Sequence, residues 1–531
     1  MLALAGPAIT ATAQTQASSC QKFIDSIGVN THFANDLDSS DIWYSGNFSQ
    51  LTAVLKGLGV KHIRDGMIPA YANNPSSGQS TELHALAKYG IYTDLIFDPG
   101  QGTVASQEAA LKVLNTGTAV VEAVEGPNEA DQNSSFSYNG EGFPAGDAAF
   151  QSDLYTAVKG DPATSGLTVI GPSEGGTYSA AYPTPPSQGG QPFSNGELYP
   201  TCDWGNCHPY TFGGNFASQV FSYETINSYF RQGQFPGCNI GVFPYTFTEY
   251  QPPFALYNAQ GVQTTSRPMA ATEKGYFNGS ATESVSATTY AKYIPRIFAE
   301  DFAKGFVRTY SYELMDEGTD LTNNQDNFGL VAHNFAPKPA YYALQNMISL
   351  LSDSGGTFTP SSLTYSVTVT PPAGYTQSSE VPDYYFNPAT QAVDNVLLQK
   401  SNGTFELLIW NDISSSAFAD TSGNTLAGTA RDLSPPAFPA VIALPASIVT
   451  ATIHSLNPDG TVSTSAGNIA NNKLSVNVPD NVLIIDLNTL TPVTTDTPTM
   501  PTWALILTGF LLLLAGTYRG FAVVGRADNV S

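Results

Sequence analysis

From residue 23 to about residue 352 the chain alternates short apolar runs with longer stretches whose apolar positions recur at helical spacing. That is the pattern of repeated strand–helix units feeding a parallel sheet. Eight runs read as strands: 23–29, 60–64, 92–97, 120–125, 167–170, 206–209, 269–272 and 307–312. Runs such as Ala119-Val120-Val121-Glu122-Ala123-Val124 and Met269-Ala270-Ala271-Thr272 are nearly continuous in apolar residues, as a strand buried on both faces requires. Between them, segments such as Phe48-Ser49-Gln50-Leu51-Thr52-Ala53-Val54-Leu55-Lys56-Gly57 supply crossover helices, and Lys338-Pro339-Ala340-Tyr341 opens the last one. Eight such units predict an α/β fold, a closed (β/α)8 TIM barrel over 23–353. The Pro-, Gly- and aromatic-rich stretch 232–266 is too long for a plain connection and is expected to form a loop at the barrel rim.

After residue 354 the pattern switches to Thr, Ser, Val and Pro with alternating runs, among them Thr404-Phe405-Glu406-Leu407-Leu408-Ile409-Trp410. An all-β sandwich is predicted over 354–488, then a Thr/Pro-rich stalk over 489–502. Residues 504–518 are almost wholly apolar and are followed by Arg519 and Arg526, which predicts a C-terminal transmembrane helix with a basic tail over 503–526. Sixteen residues rise only about 24 Å, short of a hydrocarbon core of about 30 Å, so Arg519 would snorkel or residues 521–524 would join the span. Pro498-Thr499-Met500-Pro501-Thr502-Trp503 resembles bacterial sorting tails of the Pro-Thr-Leu-x-x-Trp type, with Met500 in place of Leu. The resemblance implies an exosortase-like sorting enzyme as partner, contact with the membrane through this helix, and a secreted or bacterial cell-envelope location. Residues 1–22, with Ala11-Thr12-Ala13 as an Ala-x-Ala site, read as a leader or partial signal peptide, and Cys20 as an unremarkable residue near the terminus.

Composition narrows the chemistry. Acidic residues outnumber basic ones 44 to 20, a net charge of −24, which excludes nucleic acid as a partner because phosphates demand a basic footprint. Aromatics reach 11 % against 12 % charged residues, a bias that suits stacking on sugar faces and equally suits β-rich cores. The four cysteines show no metal-ligand spacing; a disulfide is expected among the last three, joining Cys207 to Cys238 or Cys202 to Cys207.

The candidate catalytic residues are Glu129, in Gly126-Pro127-Asn128-Glu129, and Glu273, in Ala270-Ala271-Thr272-Glu273. Each closes an apolar run where a barrel strand would end, so both carboxyl groups would face the barrel mouth. Glycoside hydrolysis is the chemistry that most needs two facing carboxyl groups. The Asn128-Glu129 pair could instead cap a helix, and its weight comes from the partner at the other strand end. Asn30 and His32 follow the first strand and face the same mouth. Tyr210, Tyr245, Tyr250, Tyr276 and Tyr312 offer stacking surfaces, and Glu174, Glu249, Glu313 and Asp316 lie near strand ends or rim loops.

In order and placement these motifs resemble the clan A glycoside hydrolases, over residues 23–352. The resemblance implies a retaining enzyme with Glu129 as general acid/base, Glu273 as nucleophile and Asn128 on the sugar 2-hydroxyl. It also implies that Tyr210, in His208-Pro209-Tyr210, contacts the nucleophile, that Arg64 holds the nucleophile ionised, and that no metal or organic cofactor is needed. Asn30, His32, His208 and Tyr312 complete the expected substrate-binding set, and a polysaccharide or oligosaccharide is the expected partner. Two departures leave family and sugar open: Ala130 follows Glu129 where many relatives have Pro, and Tyr312-Glu313 ends strand eight where several families have Trp. The alternative is a non-catalytic carbohydrate-binding or adhesive surface protein on the same scaffold.

Overall fold

A computed structural model describes residues 13–34, 46–72, 78–173, 198–210, 254–257, 263–281, 284–372, 393–411, 413, 415–417, 428–429 and 431–489. Its centre is an eight-stranded parallel sheet: β1 Ile27–Asn30, β2 His62–Gly66, β3 Tyr92–Ile96, β4 Val121–Glu125, β5 Thr168–Ile170, β6 Gly205–Cys207, β7 Met269–Lys274 and β8 Arg308–Ser311. The strand order is β5-β4-β3-β2-β1-β8-β7-β6, and a parallel bridge between Ile170 and Trp204 joins the two ends. The barrel is therefore closed, and each predicted strand overlaps an observed one.

The first prediction ran too far toward the N-terminus. Cys20–Ile24 is a helix whose N-cap, Ser19, accepts the Lys22 N–H, and β1 starts only at Ile27. Cys20 opens this helix fully buried in the main core, so it is a packing residue. The chain just before it, grouped on sequence with the leader, is also folded. Ala13–Gln16 pairs antiparallel with Ser362 to Tyr365, and Ser18–Ser19 runs parallel to Leu398 and Gln399. Residues 1–12 lie outside the described residues.

The C-terminal part is built of two sheets. One, of five strands, holds Ala13–Gln16, Ser362–Val369, Phe438–Ala443, Lys473–Val478 and Ile469–Ala470. The other, of six, holds Ser18–Ser19, Val393–Gln399, Phe405–Asn411, Leu483–Thr489, Ile448–Leu456 and Val462–Gly467. Leu363, Ile442 and Val476 of the first meet Leu407, Ile409 and Ile485 of the second in a separate core. Helix Ala287–Lys304 lies against the barrel on one side and this β domain on the other, which is why even its polar residues Lys292, Arg296 and Asp301 are buried. Lys292 Nζ meets Asp480 Oδ2 at 2.7 Å, and Arg296 donates to the carbonyls of Ile413 and Asp480, both at 3.1 Å. Barrel and β domain are thus joined by buried charge-assisted hydrogen bonds.

Part of the expected rim loop 232–266 is a hairpin, Phe254–Tyr257 against Gln263–Arg267, and the rest lies outside the described residues. Cys202 and Cys207 are not bonded to each other: the Cys202 thiol donates to Leu198 O at 3.2 Å, and the pairing with Cys238 falls outside the described residues. Among the described residues no helix is long and apolar enough to cross a membrane; the predicted stalk beyond Thr489, the sorting motif and the span 503–526 are not among them.

Candidate active site

Parallel register sets the floor of the site. Asn30 of β1 pairs with Arg64 of β2, and Arg64 with Asp94 of β3, so the three lie on one layer of the barrel interior. Arg64 is buried, and all five of its N–H groups are used. Nε and Nη2 grip Glu125 Oε2 and Oε1 at 2.9 and 2.6 Å. Nη1 donates to Asn30 Oδ1 at 3.0 Å and to Glu273 Oε1 at 2.6 Å, and Nη2 also donates to Asn128 Oδ1 at 2.7 Å. One guanidinium thereby ties the end of β4 to the end of β7.

Strand β7 is buried throughout, and its register against β8 shifts between Ala271 and Lys274. Such an irregularity re-aims side chains next to sites. Here Thr272 and Glu273 both reach the interior network: Thr272 Oγ1 lies within hydrogen-bond distance of Glu125 Oε1, Asn206 Oδ1 and His208 Nε2, at 3.1, 2.9 and 3.0 Å. Glu273 Oε2 accepts the Tyr210 hydroxyl at 2.9 Å. Burial disfavours the charge on Glu273, but His208 and Arg64 outweigh it and hold the carboxyl below its ordinary range. Burial and the Glu273 charge together keep Tyr210 a phenol, able to donate.

Glu129 follows β4 with φ +46°, a left-handed backbone unusual for a residue with a side chain, held by its N–H bond to Ser173 O at 3.0 Å. It stands at the N-cap of the short helix Ala130–Gln132, yet its side chain makes no cap hydrogen bond. The carboxylate instead lies 2.7 Å from His208 Nδ1 and accepts from Gln132 Nε2 at 2.7 Å. Burial opposes charge on His208, and the carboxylates of Glu273 and Glu129 prevail, raising the imidazole above its usual range. One carboxylate oxygen each of Glu129 and Glu273 and one ring nitrogen of His208 all lie within 4.8 Å of one another. Asn128 and Glu129 are half-buried, so the pair opens to solvent.

The remaining expected residues divide. Asn30 braces the scaffold: beyond Arg64, its amide donates to Thr272 O at 3.0 Å, and it is buried. It holds the arginine in place. Tyr312 packs edge-on against Tyr210, Phe328 and His32, and donates to Glu317 Oε1 at 3.0 Å. His32 Nε2 lies 2.9 Å from Glu313 Oε2. Burial opposes the charged ring of His32, but Glu313 holds it up at about 9, while burial pushes the Glu313 carboxyl up to about 8. Tyr276 is buried against Tyr293 and is no stacking platform, and Asp316 is held by Lys338 at 2.7 Å. Tyr245, Tyr250, Glu174 and Glu249 lie outside the described residues.

Donor atoms of two groups converge closely enough to chelate a cation, Glu129–His208–Glu273 and His32–Glu313–Glu317. In the first they are taken up by Arg64, Tyr210, Gln132 and Thr272; in the second His32 faces Glu313 directly and Glu317 takes the Tyr312 hydroxyl. Sequence reasoning missed Glu125, Thr272 and Gln132. Glu125 carried a signal: an acid on the inward face of a strand buried on both sides needs a cationic partner.

No family model and no curated protein matches the sequence. Solved structures do. A family 39 glycoside hydrolase from Bacteroides cellulosilyticus WH2 aligns over 88 % of this chain and 82 % of its own, with 13 % identity and a TM-score of 0.50. A 4-O-alpha-L-rhamnosyl-beta-D-glucuronidase from Fusarium oxysporum 12S aligns over 89 % of this chain and 97 % of its own, with 11 % identity and a TM-score of 0.51. At such identity the likeness is one of fold: the chain shares its eight-stranded parallel barrel with these glycoside hydrolases.

Proposed function

We propose that this chain is a retaining glycoside hydrolase that cleaves a polysaccharide or oligosaccharide by double displacement. The observation that carries the reading is the pair of facing carboxylates. Oxygens of Glu129 and Glu273 lie within 4.8 Å of each other, which favours the roughly 5–5.5 Å carboxyl separation of retaining enzymes over the 6.5–9.5 Å of inverting ones. Their surroundings differ in the required sense. Glu273 takes hydrogen bonds from Arg64 and Tyr210 and stays an anion, fit to attack the anomeric carbon. Glu129 has no arginine and sits against His208, an arrangement suited to passing a proton to the leaving oxygen and then taking one from water. Arg64 orients the Asn128 carbonyl inward, which leaves the amide nitrogen to meet the sugar 2-hydroxyl. Tyr210 and Tyr312 would frame the ring, with His32 beside them. The fold shared with two glycoside hydrolases agrees with this reading.

The test is a panel of aryl β-glycosides and polysaccharides with wild type, Glu273→Ala and Glu129→Ala. Loss of Glu273 abolishes turnover of every substrate. Loss of Glu129 leaves activity on aryl glycosides with good leaving groups, raised by azide, since these need little acid assistance. Turnover unchanged by either substitution refutes the pair, and glycan binding without turnover in the wild type points to a binding protein. As for location, the Pro498-Thr499-Met500-Pro501-Thr502-Trp503 motif and its apolar, arginine-ended tail support secretion followed by C-terminal anchoring at the cell envelope, with handling by an exosortase-like enzyme. Release of a chain ending at Asp496 from the membrane fraction that retains the full chain is the expected result.

A further inference from the structure

The central arginine is shared between two carboxylates, and only one of them can be a nucleophile. Glu125 lies at the end of β4, four residues before Glu129, and is fully buried. It takes two of the five Arg64 N–H groups in a two-point grip, while Glu273 takes one. Its Oε1 also lies 3.1 Å from the hydroxyl of Thr272, the residue that precedes the nucleophile and touches His208. A two-point grip fixes the plane of a guanidinium, whereas a single hydrogen bond leaves it free to swing. We propose that Glu125 is a positioning residue of the active site: it aims Arg64 at Glu273 and Asn128 and, by sharing the positive charge, limits how strongly Arg64 stabilises the nucleophile.

Charge balance argues the same way. The described titratable groups facing this trio are Asp94 from β3, Glu129 after β4, His208 and Tyr210 at the end of β6, and Tyr312 after β8. Asp94 adds no balancing anion, because burial and the neighbouring Glu125 charge keep its carboxyl protonated far above the usual range. Glu125 is therefore the anion that offsets Arg64 from below. Without it the full guanidinium charge would fall on Glu273, and a nucleophile stabilised that strongly is a weak one.

The inference rests on the glycosidase reading, and its test is built in two parts. The first is kinetic: Glu125→Gln, nearly the same shape without the charge, moves the acidic limb of kcat/KM to lower pH by about one unit and lowers the plateau at least ten-fold. Glu125→Asp, which keeps the anion, restores the limb toward the wild-type position. The second part needs no turnover: carbon-13 NMR titration of the Glu273 carboxyl, assigned with Glu273→Gln, moves to lower pH in Glu125→Gln. If Glu125→Gln fails to fold, Glu125→Met, of similar length and without the charge, provides the same titration. An unmoved Glu273 titration in folded variants overturns the proposal. A moved titration with no hydrolysis of any sugar, by wild type or variant, leaves the charge sharing intact and refutes the glycosidase reading instead.

Discussion

Replacing Lys292 by Met tests whether the β domain is a structural part of the protein's core. Lys292 sits midway along helix Ala287–Lys304, with a side chain only 10 % exposed, and its partner Asp480 is 8 % exposed. Asp480 Oδ2 takes the Lys292 ammonium at 2.7 Å and the Ser415 hydroxyl at 2.6 Å, while its backbone carbonyl takes Arg296. Methionine reproduces the length and apolar contacts of the lysine stem, so the change removes charge with little loss of packing. What remains is a buried carboxylate with one hydroxyl donor. Removing one partner of a buried pair costs about 3–5 kcal/mol, against about 0–1 kcal/mol for an exposed one. Denaturant unfolding followed by circular dichroism should show the larger loss. Adding Asp480→Asn to the same chain removes the orphaned charge, and the double variant should recover part of the loss, with about 2 kcal/mol of coupling. A single-variant cost below about 1 kcal/mol, or no recovery in the double variant, would refute the reasoning, since either result means water reaches Asp480.

Three further results are expected. A Cβ at Gly28 of β1 would stand 2.4 Å from one ring carbon of Tyr310 in β8, whose ring is locked inside the barrel, so Gly28→Ala lowers stability by about 1–3 kcal/mol, measured as a lower Tm. On the proposed mechanism Glu273 attacks as an anion, and its surroundings hold it below the ordinary glutamate range, so the acidic limb of wild-type kcat/KM should have its midpoint below about pH 4.3. Tyr210→Phe withdraws one donor from that anion, so its acidic limb moves to higher pH; a limb that stays in place shows that the hydroxyl does not stabilise the charge.

The parts legible in the sequence are those in which a residue answers to its immediate neighbours. Barrel strands buried on both faces have to be apolar runs, so β4 and β7 could be found from composition alone, and with them the two glutamates at their ends. Ala13–Gln16 could not be found that way: Ala-Gln-Thr-Gln has no strand pattern of its own, and it is a strand because Ser362–Val369, almost the whole length of the fold away, offers an open edge. The end of the helix Cys20–Ile24, Phe23 and Ile24, reads in the sequence as the start of β1 because a short apolar run fits either period. The same division runs through the site. That Glu129 and Glu273 face each other follows from where their strands end, but the stabilisation of the Glu273 anion depends in part on the aim of Arg64. That aim is set by Asn30 from β1 and Glu125 from β4, each bonded to a different edge of the guanidinium. Glu125 looks, in Val121-Glu122-Ala123-Val124-Glu125, like an acid in a strand, and becomes part of the chemistry only when the barrel closes and brings the arginine of β2 against it. The difference in surroundings between the two glutamates is thus a property of the closed barrel, set by residues from several strands, of which Glu125 shows in the sequence only as a buried acid in need of a cationic partner.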